Sequence, residues 1–381
     1  MANMSARSRS TAWLAVVAAT TSIAVAACSP PAKDSSGSSG SSGNAAASAT
    51  SASAVGGMDA LVAAAKKEGS LNVIALPPDW ANYGAIISAF GTKYGIKVNS
   101  AQPDASSADE ISAATRLKGQ SGAPDVFDLG TAVASANTAM FAPYKTAKFD
   151  SVPTALKDAN GTWVNDYGGY MSVGYDSSKV PAPTSIDDLL KPAYKGKVAL
   201  NGDPTKAGAA FAGVQMVSIA NGGTAGDVTK GVDFFKKLKD AGNFIPVDPT
   251  PATIASGQTP VVIDWDYLNA AQTAKVPTWK VYVPDNAVLA GYYVQAVNKD
   301  APHPAAARLW QEYLYSDEGQ NLWLKGGARP VRFDDMKKAG TLDATAAAAL
   351  PPVTGTPVVP TAADSDTAKA YLAKEWANAV G

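Results

Sequence analysis

From residue 58 onward, short continuous apolar runs alternate with segments whose apolar residues recur at helical spacing. The pattern predicts a helix over 59–68, a strand over 71–76, a helix over 83–94 with Ile86 and Phe90 one turn apart, and a strand over 96–99. Ser107 and Glu110 read as a capping box opening a helix to about Lys118, and a strand over 125–129 follows. Strand then helix, repeated, predicts an α/β domain with a largely parallel sheet.

After an extended stretch over 167–175 and a loop marked by Pro181 and Pro183, the alternation restarts. A helix over 186–190 leads to a strand over 197–200. Asp203 and Pro204 then open a long Ala-rich helix that Gly222 ends. Asp227 caps another, with Val232, Phe235 and Leu238 inward and Gly242 behind it. Strands over 260–263 and 280–283 follow, and one over 292–297 runs into a helix opened by Pro304. The folded part exceeds what one core normally holds, so two α/β lobes are expected, with the chain crossing between them more than once. The expected division is 58–170 with 294–330 for the first lobe, and 171–293 with 331–381 for the second. Open α/β sheets bind ligands beyond the carboxyl ends of their strands, so facing lobes predict an interlobe ligand cleft lined by strand-to-helix loops.

Composition narrows the chemistry. Of 381 residues, 32 are Lys or Arg and 33 Asp or Glu, a formal net charge of -1 that argues against a nucleic-acid binder. One Cys and one His exclude a disulfide framework and a zinc site built from several such ligands. His303 lies between two prolines without an orienting carboxylate nearby in sequence, and no phosphate-cradling or nucleophile-elbow motif occurs. No catalytic residue, metal or cofactor is therefore assigned, although a carboxylate-only glycosidase using Asp264 and Asp203 stays open.

The N-terminus adds a destination. Arg7 and Arg9 precede an apolar run over 12–27, too short for a comfortable span, and then comes Cys28. This reads as a signal peptide over 1–27. Residues 28–57 are Ser, Gly and Ala with almost no large apolar side chain, which predicts a flexible tether.

The candidate site residues sit in the loops. Asp79, Trp80 and Tyr83 follow the first strand, where Trp80 either stacks on a ligand or packs on its own helix. Thr131 lies in a small-residue loop that lets backbone N–H groups approach a ligand. Asp203 and Thr205 stand at a helix start, where free N–H groups and Lys206 suit an anion unless Asp203 caps them itself. Asp264, Trp265 and Asp266 end an apolar strand. Two carboxylates flanking an indole suit a cation, unless Asp266 caps the next helix. Tyr292 and Tyr293 are adjacent phenols on the later strand.

Val25, Ala26 and Ala27 before Cys28 resemble the lipobox of bacterial lipoproteins. Phe90–Val98 (FGTKYGIKV), Pro124–Gly130 (PDVFDLG), Leu189–Val198 (LLKPAYKGKV), and APHPAAARLW with EYLYSDEGQ within 296–320 resemble the solute-binding proteins of bacterial ABC importers. The likeness spans 58 to about 332, in the branch of polyamine, ferric-iron and 2-aminoethylphosphonate receptors. It implies a two-lobed type II periplasmic-binding-protein fold with a hinge, and acylation of Cys28 as a membrane anchor. A monomeric receptor passing a small-molecule ligand to permease subunits follows. In polyamine receptors, Trp80, Tyr83 and Tyr293 would be aromatic walls, Asp203 an amine-binding carboxylate and Trp265 a stacking indole. Lys206, Gln295 and Ala132 depart from that pattern, and only Tyr267 matches an iron-binding phenol. The expected ligand is cationic and polyamine-like. An aminophosphonate or other small anion, ferric iron, and a surface hydrolase are the alternatives.

Overall fold

A computed structural model describes residues 41–381, so the apolar run over 12–27 and Cys28 lie outside the described residues. The helices Met58–Glu68 and Tyr83–Tyr94 form as the spacing predicts. Each ends at a glycine in the left-handed region, Gly69 and Gly95, whose N–H closes on a carbonyl four residues back. The strands are β1 (Ser70–Ile74), β2 (Lys97–Ala101), β3 (Val126–Gly130), β4 (Phe141–Ala142), β5 (Val164–Asp176), β6 (Val198–Leu200), β7 (Val261–Trp265), β8 (Trp279–Tyr282), β9 (Ala290–Asn298) and β10 (Arg329–Pro330).

The sheet is not largely parallel. Only the β1–β2 and β6–β7 ladders run parallel, whereas β9 pairs antiparallel with β3 and β5, and β5 pairs antiparallel with β7 and β8. Buried strands are apolar on both faces whichever way they run, so composition carried no sign of direction. β5 changes partner midway: Gly168 to Tyr170 pair with β9, and Met171 to Tyr175 pair with β7. One strand thus belongs to both halves of a curled sheet, as a two-lobed α/β architecture requires.

Three helix starts differ from expectation. The capping box is Ser106 with Asp109, one residue early. Ser107 instead accepts the Gly130 N–H on its hydroxyl, and buried Glu110 accepts the Asp128 N–H. Asp203 does not cap a helix: its Oδ1 accepts the N–H and hydroxyl of Thr205 in a tight turn, and the helix begins at Gly208. Ile186–Leu190 is a 3-10 segment rather than an α-helix. The helix Gly208–Ala220 is buried on every side from Ala209 to Ser218, its small residues letting it lie between sheet and neighbouring helix.

The expected tether ends sooner than 57. Ser41–Ser48 is helical, Ala52–Val55 is a 3-10 turn and Ala46 is fully buried. Arg308 holds the segment, donating from Nε to the Ala49 carbonyl at 2.8 Å and from Nη2 to the Ala47 carbonyl at 2.7 Å. The anchoring groups are backbone carbonyls, which composition does not reveal. Residues 331–348 are tied to elements on either side of β5: buried Arg332 donates to the Tyr315 carbonyl and the Ser151 hydroxyl, and Asn321 bonds to Thr341 and Asp343.

Candidate functional site

The short helix Thr131–Ala136 after β3, the start of the helix Gly208–Ala220, the start of β9 and the beginning of the C-terminal helix Ala362–Val380 surround a cavity of about 450 Å³. Such a volume suits a small organic ligand. Its wall is mainly apolar, with Trp163, Phe211, Trp265, Leu289, Tyr292 and Tyr293 prominent. Its polar side chains are Asn165 and Gln215, the hydroxyls of Thr131, Ser135, Thr205, Thr361 and Ser365, and the two lysines Lys206 and Lys369. Among the described residues no Asp or Glu lines it.

Gly130 and Gly208 meet in its wall. A Cβ added to Gly208 would stand 3.2 Å from the Gly130 Cα, and one on Gly130 would stand 3.1 Å from the Gly208 Cα. The backbone ending β3 thus touches the backbone opening the long helix, an approach that side chains would forbid. No side chain caps that helix, so the positive end of its dipole stays available at the cavity edge.

Of the residues named from sequence, Thr131, Ala132, Thr205, Lys206, Trp265, Tyr292 and Tyr293 line this cavity. Trp265 donates from Nε1 to the Tyr293 hydroxyl at 3.4 Å and stacks on Tyr267 with ring centroids 6.4 Å apart. Behind Tyr293 lies an aromatic cluster. Tyr167 stacks on Tyr293 at 5.6 Å, and Trp80 meets Tyr293 edge-on at 5.7 Å. Trp80 is therefore second-layer packing, its indole N–H given to the Tyr167 hydroxyl at 2.8 Å. Tyr83 is fully buried and donates to Asp128 at 2.8 Å, away from the cavity. Asp79 is exposed on its turn, and Asp203 pairs with Lys206 at 3.5 Å.

Both strand-end aspartates turn to the protein. Asp264 accepts the Asn201 amide and its neighbour Trp265 N–H, each at 2.8 Å. Burial pushes its carboxyl up to about 7, so half of it is neutral near neutrality. Asp266 is fully buried, is paired with Arg329, and accepts the N–H groups of Tyr170 and Tyr267 at 3.0 Å. The sequence leaves Asp264 and Asp266 as carboxylates for a cation unless Asp266 opens the next helix, and neither lines the cavity. Asp266 is the first residue of that helix.

A further acidic group lies deeper: Asp128, Asp166 and Glu110 are all buried, and burial together with their mutual repulsion holds the carboxyls of Asp166 and Glu110 well above the usual range. The phenols of Tyr83 and Tyr167 donate to Asp128, which makes this a core network. Among the described residues no group of three or more His, Cys, Asp or Glu is placed to hold a metal ion. His303 receives the buried Asp125 carboxylate at 2.9 Å, an orienting partner invisible in the local sequence. It stands beside Glu68 at a helix start, where Glu68 accepts the N–H groups of Ala305 and Ala306 and Asp125 accepts that of His303.

Sequence reasoning passed over Trp163, Asn165, Phe211, Gln215 and Lys369. Asn165, Phe211 and Gln215 sit inside elements and not in loops, and Trp163 directly precedes β5. Lys369 lies on a helix whose buried stripe of Ser365, Ala368, Leu372 and Trp376 has the spacing that marks an amphipathic helix.

The sequence matches the family model described as bacterial extracellular solute-binding protein over residues 122–353. No protein of curated function matches in sequence. Solved structures with the same fold include AgtB from A.tumefacien R10 in complex with agropinic acid, 16% identical, covering 82% of this chain and 98% of that one with a TM-score of 0.63. AfuA from Actinobacillus pleuropneumoniae with fructose-6-phosphate is 16% identical, covers 82% and 98%, and has a TM-score of 0.62. Iron-bound HitA from Pseudomonas aeruginosa is 20% identical, covers 81% and 99%, and has a TM-score of 0.58. A two-lobed binding-protein fold around an apolar cavity, over a family match of this length, shows that the chain belongs to the bacterial extracellular solute-binding proteins, the receptor components of ABC importers, and is a binding protein rather than an enzyme.

Proposed function

We propose that this receptor captures a small organic anion with an apolar or aromatic body and delivers it to the permease subunits of an ABC importer. The observation that carries the reading is the wall chemistry: Lys206, Lys369 and an uncapped helix start face the cavity, and among the described residues no carboxylate lines it. Lysines and helix dipoles attract anions, and the rings of Trp265, Tyr293 and Phe211 supply stacking surface. A polyamine needs carboxylates, and the two expected to serve, Asp264 and Asp266, are taken by Asn201 and Arg329. Relatives in fold carry agropinic acid, fructose-6-phosphate or iron, so fold alone does not choose a ligand.

The ligand contacts proposed are Thr131, Thr205, Trp265 and Tyr293 with Asn165 and Lys206, and the lobes close over the ligand about the β5 and β9 crossings. Acylated Cys28 holds the receptor, a monomer, to the outer face of the membrane, a reading supported by the VAAC sequence and by the exported character of the family. Native mass spectrometry of protein purified without refolding, followed by calorimetric titration with aromatic carboxylates, phosphate monoesters, aminoethylphosphonate, putrescine and spermidine, tests the ligand class. Binding of an anion and none of either polyamine is expected. Tight spermidine binding with no anion bound overturns the reading.

A further inference from the structure

The family match ends at residue 353, yet the chain continues for another stretch that returns to the cavity. Val358 donates its N–H to the Val288 carbonyl at 2.8 Å and accepts the Ala290 N–H at 2.9 Å, so the segment is stitched onto the chain just before and at the start of β9. The helix Ala362–Val380 then docks by its buried stripe. Trp376 meets Phe235 edge-on at 5.2 Å, Ala368 and Leu372 are buried, and Lys239 reaches the carboxyl-terminal Gly381. Its opening residues and Lys369 form part of the cavity wall. Lys206, the other lysine there, already has Asp203 at 3.5 Å. Among the described residues Lys369 has no ion-pair or hydrogen-bond partner, and it is half-buried at the cavity.

A half-buried lysine without a counter-charge, carried on a packed helix at the edge of an apolar cavity, supplies the missing half of a charge-assisted hydrogen bond. We propose that the C-terminal helix is a working wall of the ligand site and that Lys369 is its specificity-determining residue, selecting ligands that carry a carboxylate or phosphate. This rests on the anionic-ligand reading above. The helix packs on the second half of the molecule and on the short helix Thr131–Ala136 of the first. Its lysine is therefore set against the ligand by elements from both.

The test is titration of the full chain with phenyl phosphate, phenylacetate and the neutral benzyl alcohol, using wild type, Lys369→Met, Lys369→Arg and Lys206→Met. Met keeps the apolar stem, so folding is preserved, and an unchanged melting temperature checks it. Expected is a loss of about tenfold or more in anion affinity in Lys369→Met, recovery in Lys369→Arg, and a salt dependence of binding that falls with the charge. Anion binding that is unchanged in Lys369→Met but weakened in Lys206→Met overturns this inference and leaves the anionic reading standing. Failure of wild type to bind either anion, with benzyl alcohol bound or not, overturns both.

Discussion

Replacing Asp264 by Asn removes a buried carboxyl whose pKa burial raises from its ordinary 3.8 to about 7. A group whose folded pKa is raised stabilises the fold fully below the unfolded value. That contribution is lost as pH rises through the folded pKa, here from about 4 to about 7. At about 1.36 kcal/mol for each pH unit, wild type gives up about 4 kcal/mol across that window at this one site. Asn carries no charge, and its oxygen still accepts the Trp265 N–H while its amide faces Asn201, which turns its own amide over to accept. The difference between variant and wild type isolates this site from Asp128, Asp166 and Glu110, which titrate in both. Asp264→Asn should match wild type near pH 4 and exceed it at pH 8, by roughly 5 °C in melting temperature for a chain of this size. Thermal unfolding at half-unit pH steps measures it. A variant less stable than wild type at pH 8, or one of unchanged stability that has lost its ligand, refutes the reasoning and returns Asp264 to the binding site.

Gly208→Val places two methyl groups against the Gly130 backbone, where even a Cβ stands 3.2 Å away, so it should hold the two walls apart. Ligand affinity is expected to fall about tenfold or more, with a larger radius of gyration in solution scattering, and equal affinity would contradict the close approach. Cys28→Ser should release the receptor from membranes into the soluble fraction, measured by fractionation and blotting, and retention on membranes would count against acylation.

Much of the architecture was legible because helix ends carry their own chemistry: Gly69, Gly95, Gly242 and Pro304 stand where capping geometry demands them. Strand direction was not legible, since β5 and β9 read as apolar runs whichever way they pair. Thr131, Thr205, Trp265 and Tyr293, named from the ends of predicted strands and helices, all come to line the cavity. The partners of Asp264 and Asp266 were not legible, because a carboxylate beside an indole looks the same whether it serves a ligand or a partner such as Arg329, which lies far along the chain. Lys369 escaped notice because a half-buried lysine on an amphipathic helix reads as solvated surface until the helix is seen to turn back to the cavity.

The sharing of β5 between both halves governs how the molecule is made. Gly130 pairs with Tyr293, and Gly168 with Tyr292, so the first sheet cannot close until β9 has been synthesised and delivered. Met171 to Tyr175 likewise wait for β7. Such distant pairings impose a large loop-closure entropy before any reward, which makes acquisition of the native state slow. The β1–β2 ladder can form from residues 70–101 alone, whereas the main sheet stays open until the chain past residue 290 arrives, so its closure is a late event for a protein of an exported family.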